Sequence, residues 1–321
     1  MTTYSRADQP TVALQSLMEL SSYQLIEWAQ SAKQYAKSGR VPTYVGGLAS
    51  ARPDWLGLRI DVGGKGHRFG ETRLGFPLMS VMKPFLLFHL LEMSGEAVFD
   101  HVGIRPSDQA FNSLKQLKQD NYFPRNPMIN SGALALTAML PGADGGERCD
   151  YLRQWLNQRA GCQLTLDEKM LSTVRSLPNE QNRAIARALG EAGRLQDAAV
   201  ALDAYEQMCC LSGRLSDVVA LGKLLIDPML GDSEHQRQVL ALMLTCGLYE
   251  ESGAMAVQVG LPMKSGVSGV LLAILPAGGV IATYSPPLNA TGNSLGGLYL
   301  ITQISQHLKL SLLSPKLSPH L

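Results

Sequence analysis

The sequence predicts a mixed α/β (α+β) protein in which one antiparallel sheet is built from both ends of the chain and is flanked by helices. A hairpin pattern stands near each end, in "DWLGLRIDVGGKGHRFG" (54–70) and "SGVLLAILPAGGVIATYSP" (268–286). Between them, from Ser80 to about Gln238, apolar residues recur mainly at helical spacing. Strands at both ends of a helical middle favour a sheet that joins the two ends.

The remaining elements are predicted to be helices and turns. Residues 10–40 alternate apolar and polar residues at helical spacing, which predicts one or two helices ending near Gly39, and an amphipathic helix is predicted from about Ser294 to Leu310. The turn at 63–66, Gly-Gly-Lys-Gly, lacks the glycine spacing of a phosphate-binding loop and is predicted to close the first hairpin. No linker divides the chain, so we expect one domain, residues 1–321, with a helical subdomain at about 100–240 inserted in the sheet subdomain.

Composition argues against several classes of protein. The formal net charge is +1 and no basic run occurs, so we expect neither a nucleic acid nor a membrane surface as a partner. The amino-terminal residues lack the pattern of a secretory signal, and the five cysteines are odd in number, which favours a cytoplasmic protein. The cysteines and the scattered histidines lack metal-ligand spacing, so we expect no metal site.

The stretch "LGFPLMSVMKPFLLFHLL" (74–91) carries a lysine inside an apolar run. Pro84 is tolerated in a first helical turn, so a helix is predicted to begin near Ser80 and to place Lys83 on the face of Ser80. Apolar neighbours lower the pKa of a lysine, and a neutral amine can remove the proton of a serine hydroxyl. The alternative is structural: Ser80 caps the helix and Lys83 extends to the surface.

A second motif follows downstream. Lys264-Ser265-Gly266 stands where a strand is predicted to open, and Ser-x-x-Lys with a later Lys-Thr-Gly is the signature of serine β-lactamases and penicillin-binding proteins. A glycine in such a strand lets a substrate approach the backbone, and the N–H groups of Val267 and Ser80 are candidates for an oxyanion hole. By itself, the motif is also compatible with a surface turn.

As a set, the motifs resemble those of one family, the serine-dependent glutaminases, which have the β-lactamase-like fold and hydrolyse L-glutamine to L-glutamate and ammonia. The resemblance runs from about Tyr44 to about Ser294. It rests on "FPLMSVMK", "VGIRPSDQAFNSL", "PRNPMINSGAL", "NRAIA", "LDAY", "CGLY", "VGLPMKSGV" and "SPPLNATGNS".

The resemblance implies a role for each matching position. Ser80 would be the nucleophile and Lys83 its base, while Tyr249 would share proton transfer. The positions that would bind substrate are Tyr44, Ser80, Asn130, Asn182, Tyr205, Tyr249 and, through its backbone N–H, Val267. The residues alone leave other roles open: Asn130 and Asn182 are also plausible helix caps, and Tyr44 and Tyr205 plausible core aromatics.

Two departures from the family pattern concern the substrate. Met79 replaces the glutamine that usually precedes the nucleophile, and Arg175 lies where the family carries a glutamate that pairs with the substrate α-ammonium. Glu180 is our candidate to replace that glutamate. Loss of a buried charge partner costs a few kcal/mol, so recognition of an α-amino acid is expected to be altered.

The leading hypothesis is a glutaminase, an amidohydrolase that works through a serine acyl-enzyme, uses no cofactor and forms a homo-oligomer, a dimer or tetramer, by resemblance. Two alternatives stay open at this point. One is a hydrolase of the same fold that acts on a different amide or ester, and the other is a non-catalytic relative.

Overall fold

The computed structural model describes residues 12–43, 46–176 and 180–314. Its strands are β1 (Gly57–Val62), β2 (Arg68–Gly70), β3 (Phe76–Pro77), β4 (Thr165–Leu166), β5 (Leu211–Gly213), β6 (Met263–Ser265), β7 (Val270–Leu275) and β8 (Gly279–Tyr284). Its α-helices are α1 (Val12–Met18), α2 (Ser22–Ala36), α3 (Lys83–Ser94), α4 (Leu114–Gln119), α5 (Asn130–Thr137), α6 (Gly145–Ala160), α7 (Glu168–Ser176), α8 (Glu180–Glu191), α9 (Ala198–Cys209), α10 (Leu215–Lys223), α11 (Ser233–Cys246), α12 (Ser252–Gln258) and α13 (Leu295–Leu308).

The main sheet joins the two ends of the chain, as predicted. Its order is β2-β1-β8-β7-β6, and every neighbouring pair is antiparallel. Strand β1 pairs with β8 over their full lengths, from Gly57 opposite Tyr284 to Val62 opposite Gly279. Both predicted hairpins are confirmed, β1–β2 and β7–β8, and the turn between β1 and β2 contains the Gly-Gly-Lys-Gly run.

Both faces of the main sheet are buried along β7 and β8, in which every residue is buried and β7 is apolar throughout. Along β7, Val270, Leu272 and Ile274 contact one hydrophobic cluster, while the intervening Leu271, Ala273 and Leu275 contact a second. The first cluster, which we call the helical cluster, contains most core residues of α3–α11. The second, the terminal cluster, packs α1, α2, α12 and α13 against the opposite face.

Two short features differ from the prediction. A second sheet of three strands, in the order β3-β5-β4, joins the residues just before Ser80 to the helical part of the chain. In addition, Lys264 and Ser265 do not open the following strand but belong to a separate strand, β6, which pairs with β7. These strands have only two or three residues each, which is too short for an alternating pattern to emerge from the sequence.

The helix around the Ser-x-x-Lys motif begins with a 3-10 turn. Residues Met79–Met82 form that turn, and α3 continues from Lys83 with Pro84 in its first turn, as the proline position predicts. Met79 has φ = +50°, a conformation that is costly for a residue with a bulky side chain. Strain of this kind concentrates where the backbone must aim a functional group, here the serine that follows.

No helix within residues 12–43, 46–176 and 180–314 is long and apolar enough to span a bilayer. The division into one domain with an inserted helical subdomain remains a prediction.

Candidate active site

Ser80 lies in the first turn of the α3 segment with its side chain at the wall of a large cleft. The residue is 7% exposed, and its Oγ forms no hydrogen bond with any residue that the structure describes. The Ser80 N–H likewise has no acceptor among the described residues, as expected for the first turn of a helix. Ser80 is not a side-chain cap, since the cap positions of this turn and of α3 are Leu78 and Met82.

Lys83 is fully buried, so the alternative of an amine extending to the surface is wrong. Its Nζ donates hydrogen bonds to Met128 O at 3.1 Å and to Asn130 Oδ1 at 2.7 Å. Burial lowers the pKa of Lys83 to about 7, in the direction that the apolar neighbours predict. A hydrogen bond between Lys83 and Ser80, which their spacing predicts, is not formed in this structure.

Asn130 links Lys83 to the rest of the cleft. Its Oδ1 also accepts a hydrogen bond from the Tyr205 hydroxyl at 2.9 Å, and its Nδ2 donates to Asn182 Oδ1 at 2.9 Å. The cap role that the sequence left open for Asn130 is wrong, since Ile129 occupies the cap position and Asn130 is the first residue of α5. The sequence-predicted residues Asn130, Asn182 and Tyr205 therefore meet in one hydrogen-bonded network.

Two further candidates lie at the start of α8, and one lies outside the described residues. Asn182 is in the first turn of α8 and lines the cleft, as does Glu180, the first residue of that helix. Glu180 is exposed at the rim of the cleft. Tyr44 falls outside the residues that the structure describes.

Tyr249 adjoins a lysine that the sequence analysis did not include among the candidates. Lys264, in β6, is fully buried and donates hydrogen bonds to the Tyr249 hydroxyl at 3.3 Å and to Ser265 O at 2.8 Å. Burial, reinforced by the charge of nearby Lys83, lowers the pKa of Lys264 well below its usual value. The signal was present in the Lys-Ser-Gly motif, from which we inferred a backbone role only.

Tyr249 is buried and is not among the described residues that line the cleft, but its ring contacts one that does. It packs on the ring of Phe111, a cleft residue, with the ring centres 4.7 Å apart. Tyr249 itself has φ = +57°, a second strained residue at this site.

The backbone after β6 lies directly against the turn that carries Ser80. A Cβ on Gly266 would stand 2.6 Å from Leu78 O, so only glycine allows this approach. The glycine is thus needed for the contact with Leu78. Val267 follows at the cleft wall, and its N–H has no acceptor among the described residues. The N–H groups of Ser80 and Val267 are therefore both available to a bound oxyanion.

The cleft has a volume of about 1140 Å³, which is ample for an amino acid. Of the residues above, Ser80, Phe111, Asn130, Glu180, Asn182, Tyr205 and Val267 line it. The other lining residues are Met79, the segments 38–43 and 288–292, Asn112, Val174, Gln181, Glu206 and Cys209. Within the described part of the chain, no group of three or more His, Cys, Asp or Glu side chains is arranged to hold a metal ion.

Comparison with known proteins decides the family. The glutaminase family model matches residues 39–313, most of the chain. The chain belongs to the glutaminase family. A glutaminase from Synechocystis sp. is 41% identical over 300 residues, which cover 92% of each chain. A glutaminase from Trichormus variabilis is 33% identical over 287 residues, which cover 86% of this chain and 85% of the relative.

Solved glutaminase structures share the fold. A probable glutaminase of Bacillus subtilis superimposes with a TM-score of 0.82 at 27% identity, over 90% of this chain and 97% of that chain. A covalent complex of a B. subtilis glutaminase with 5-oxo-L-norleucine, formed by reaction with 6-diazo-5-oxo-L-norleucine, superimposes with a TM-score of 0.81 at 27% identity, over 91% and 99% of the two chains. The predicted fold class is thereby confirmed.

One of the two departures from the glutaminase pattern has a clear structural outcome. Arg175 forms an ion pair with Asp203 and is not among the described residues that line the cleft. The position at which the resemblance places a carboxylate therefore presents no charge of either sign to the cleft. Met79, the other departure, is buried and lines the cleft beside Ser80.

Proposed function

We propose that this glutaminase hydrolyses L-glutamine to L-glutamate and ammonia with Ser80 as the nucleophile and Lys83 as its base. The observation that carries the proposal is the fully buried Lys83 amine, with a pKa of about 7, one helical turn from a serine that opens on the cleft. An amine with this pKa is largely neutral at physiological pH and can accept the proton of a hydroxyl.

The first half of the reaction forms an ester. Ser80 Oγ attacks the side-chain amide carbon of glutamine while its proton passes to the neutral Lys83 amine. The N–H groups of Ser80 and Val267 hold the oxyanion. The C–N bond then breaks, the nitrogen takes a proton from Lys83 or through the Tyr249 hydroxyl, and ammonia leaves. The Ser80–Lys83 hydrogen bond that this step needs forms with substrate in place, since such bonds are often long in unliganded sites.

The second half consumes water. Lys83 removes a proton from the water molecule, whose oxygen attacks the glutamyl ester, and Ser80 leaves with the proton. Lys264 positions the Tyr249 hydroxyl by its 3.3 Å hydrogen bond. We assign substrate binding to Tyr44, Asn130, Glu180, Asn182 and Tyr205, in addition to Ser80, Tyr249 and Val267. The residues in these roles are all side-chain and backbone groups of this chain, and the scheme requires no cofactor.

The decisive experiment replaces the nucleophile. Ser80→Ala should lower kcat for ammonia release from glutamine by about 10³-fold or more, as for other nucleophile–base pairs. Ser94→Ala, the same change at the exposed end of α3, is the matched control and should keep the parental rate. Ammonia release at the parental rate from Ser80→Ala would contradict the proposal.

A covalent label tests the same residue without turnover. The glutamine analogue 6-diazo-5-oxo-L-norleucine reacts covalently with the B. subtilis glutaminase. With this chain, we expect a stoichiometric mass increase of the parent and of Ser94→Ala, and none of Ser80→Ala. An adduct on Ser80→Ala would assign the nucleophile to another side chain.

The cellular setting is part of the proposal. A cytoplasmic location is supported by the odd number of cysteines, all five of which are unpaired thiols in the structure.

We further propose a homo-oligomer, a dimer or tetramer, on the strength of the family resemblance. Light scattering of the purified protein gives its mass, and a monomer at micromolar concentration would contradict this expectation.

A further inference from the structure

Glutamine presents two charges to any cleft that binds it, an α-carboxylate and an α-ammonium. A site that must distinguish an α-amino acid from its des-amino analogue needs a group whose interaction with the ammonium is lost when the analogue binds. A carboxylate shielded from water serves this purpose best, because an ion pair at an exposed position contributes little.

Among the described residues that line the cleft, three carry a charged side chain: Arg40, Glu180 and Glu206. Arg40 and Glu180 are exposed, whereas Glu206 is 7% exposed. Of the two carboxylates, Glu206 is therefore the one whose attraction for a cation is least screened by solvent.

Glu206 also lies next to the reactive centre. It follows Tyr205 in α9, and the Tyr205 hydroxyl shares Asn130 Oδ1 with the Lys83 amine. Cys209, three residues after Glu206 on the same face of α9, also lines the cleft, so the two side chains belong to one stretch of the cleft wall.

Neither position that the sequence analysis considered for this role offers a carboxylate shielded from water. Arg175 is engaged with Asp203, and Glu180 stands at the solvent-exposed rim. We propose that the Glu206 carboxylate binds the α-ammonium of the substrate and makes this cleft selective for an α-amino acid. The inference rests on the glutamine hydrolysis proposed above and names the residue that confers its substrate preference.

The test compares glutamine with 4-carbamoylbutanoate, which is glutamine without its α-amine. Glu206→Gln keeps the shape of the side chain and removes its charge. We expect kcat/KM for glutamine to fall about 100-fold, mainly through KM, and kcat/KM for the analogue to stay within about threefold of the parent. A merely structural role would lower both values together.

Asp203→Asn is the matched control, because it removes a carboxylate from the same helix on the side that faces Arg175. Its kcat/KM for glutamine should equal that of the parent. Glu180→Gln is the competing variant. A selective loss with Glu180→Gln, alongside parental behaviour of Glu206→Gln, would overturn the assignment of Glu206.

The unmodified protein supplies a measurement that does not depend on any variant folding. The parent should prefer glutamine over 4-carbamoylbutanoate by about 100-fold in kcat/KM, and equal turnover would overturn the inference. Failure of the parent to release ammonia from glutamine would overturn the proposed function itself. Normal activity on glutamine with an unchanged preference in Glu206→Gln would overturn only the role of Glu206.

Discussion

A buried lysine amine is costly to fold, and the hydrogen-bond partners of Lys83 within the described part of the chain are neutral oxygens. The pKa of Lys83 is about 7 in the folded protein against 10.5 in an exposed lysine. Between these two values the unfolded chain binds a proton that the folded chain does not. This group therefore makes the free energy of unfolding rise as pH increases from about 7 to 10.5. At neutral pH the buried amine therefore lowers the free energy of unfolding, and in return the folded protein has an amine that can act as a base.

The same titration predicts the pH dependence of activity. Only the neutral amine can take the Ser80 proton, so kcat/KM for glutamine should rise with pH and level off above a midpoint of about 7. Initial rates of ammonia release between pH 5.5 and 9, with circular dichroism at each pH to confirm folding, measure this profile. A rate that is constant between pH 6 and 8 would show that Lys83 is not the titrating base.

Some residues of the site could be predicted from the sequence and others could not, for a physical reason. Ser80 and Lys83 are one helical turn apart, so local periodicity was enough to pair them. Lys264 is distant in the chain, and its burial depends on β6 packing beside the Ser80 turn. Glutamate is usually found on the protein surface, and only the packing of α9 beside the cleft places Glu206 in the cleft wall.

Among elements, the contact between the Ser80 turn and the end of β6 matters most for the site. The approach of Gly266 to Leu78 O brings the N–H groups of Ser80 and Val267, which have no acceptor among the described residues, to the same cleft wall. Neither element is stable by itself, since the turn has four residues and the strand three. Their relative position is therefore set by the sheet behind them and by this close approach.

A methyl group at this contact tests its importance. Gly266→Ala places a carbon 2.6 Å from a backbone oxygen, so the strand must shift away. We expect a loss of about 1–3 kcal/mol in the free energy of unfolding, by denaturant titration, together with a fall in kcat larger than any change in KM. Gly253→Ala, in α12, meets no atom within 4 Å and should be neutral or stabilising. Equal behaviour of the two variants would contradict a required close approach.

Local patterning predicted the longer elements and failed on the short ones. Strands β7 and β8 have six apolar-rich residues each and were recognised with their turn. Strands β3, β4 and β5 have two or three residues and exist because segments far apart in the chain meet, so no local pattern indicates them. Local patterning also failed on a helix cap. Ile129, and not Asn130, occupies the cap position of α5, so the side-chain amide of Asn130 is available to the cleft.

For the molecule as a whole, the main sheet is the shared wall of two hydrophobic clusters. Alternate residues of β7 enter the helical cluster and the terminal cluster, and β8 does the same, with Val280 in the first and Ile281 in the second. If either cluster unfolds, one face of β7 and β8 is exposed to water, and the other cluster packs against the opposite face of the same two strands. This arrangement supports the expectation of a single domain despite the size of the helical part.

That coupling predicts one cooperative unfolding transition, although chains above about 150 residues often populate intermediates. Trp155 packs on the helical cluster and Trp28 on the terminal cluster, so each tryptophan reports on one of them. In variants that retain only Trp28 or only Trp155, the fluorescence midpoints in denaturant should coincide with each other and with circular dichroism. Ile281→Ala, which removes a fully buried side chain from the terminal cluster, should shift both midpoints equally, at a cost of about 2–5 kcal/mol. If the Trp28 midpoint moved while the Trp155 midpoint stayed, the two clusters would unfold independently, and the sheet would not couple them.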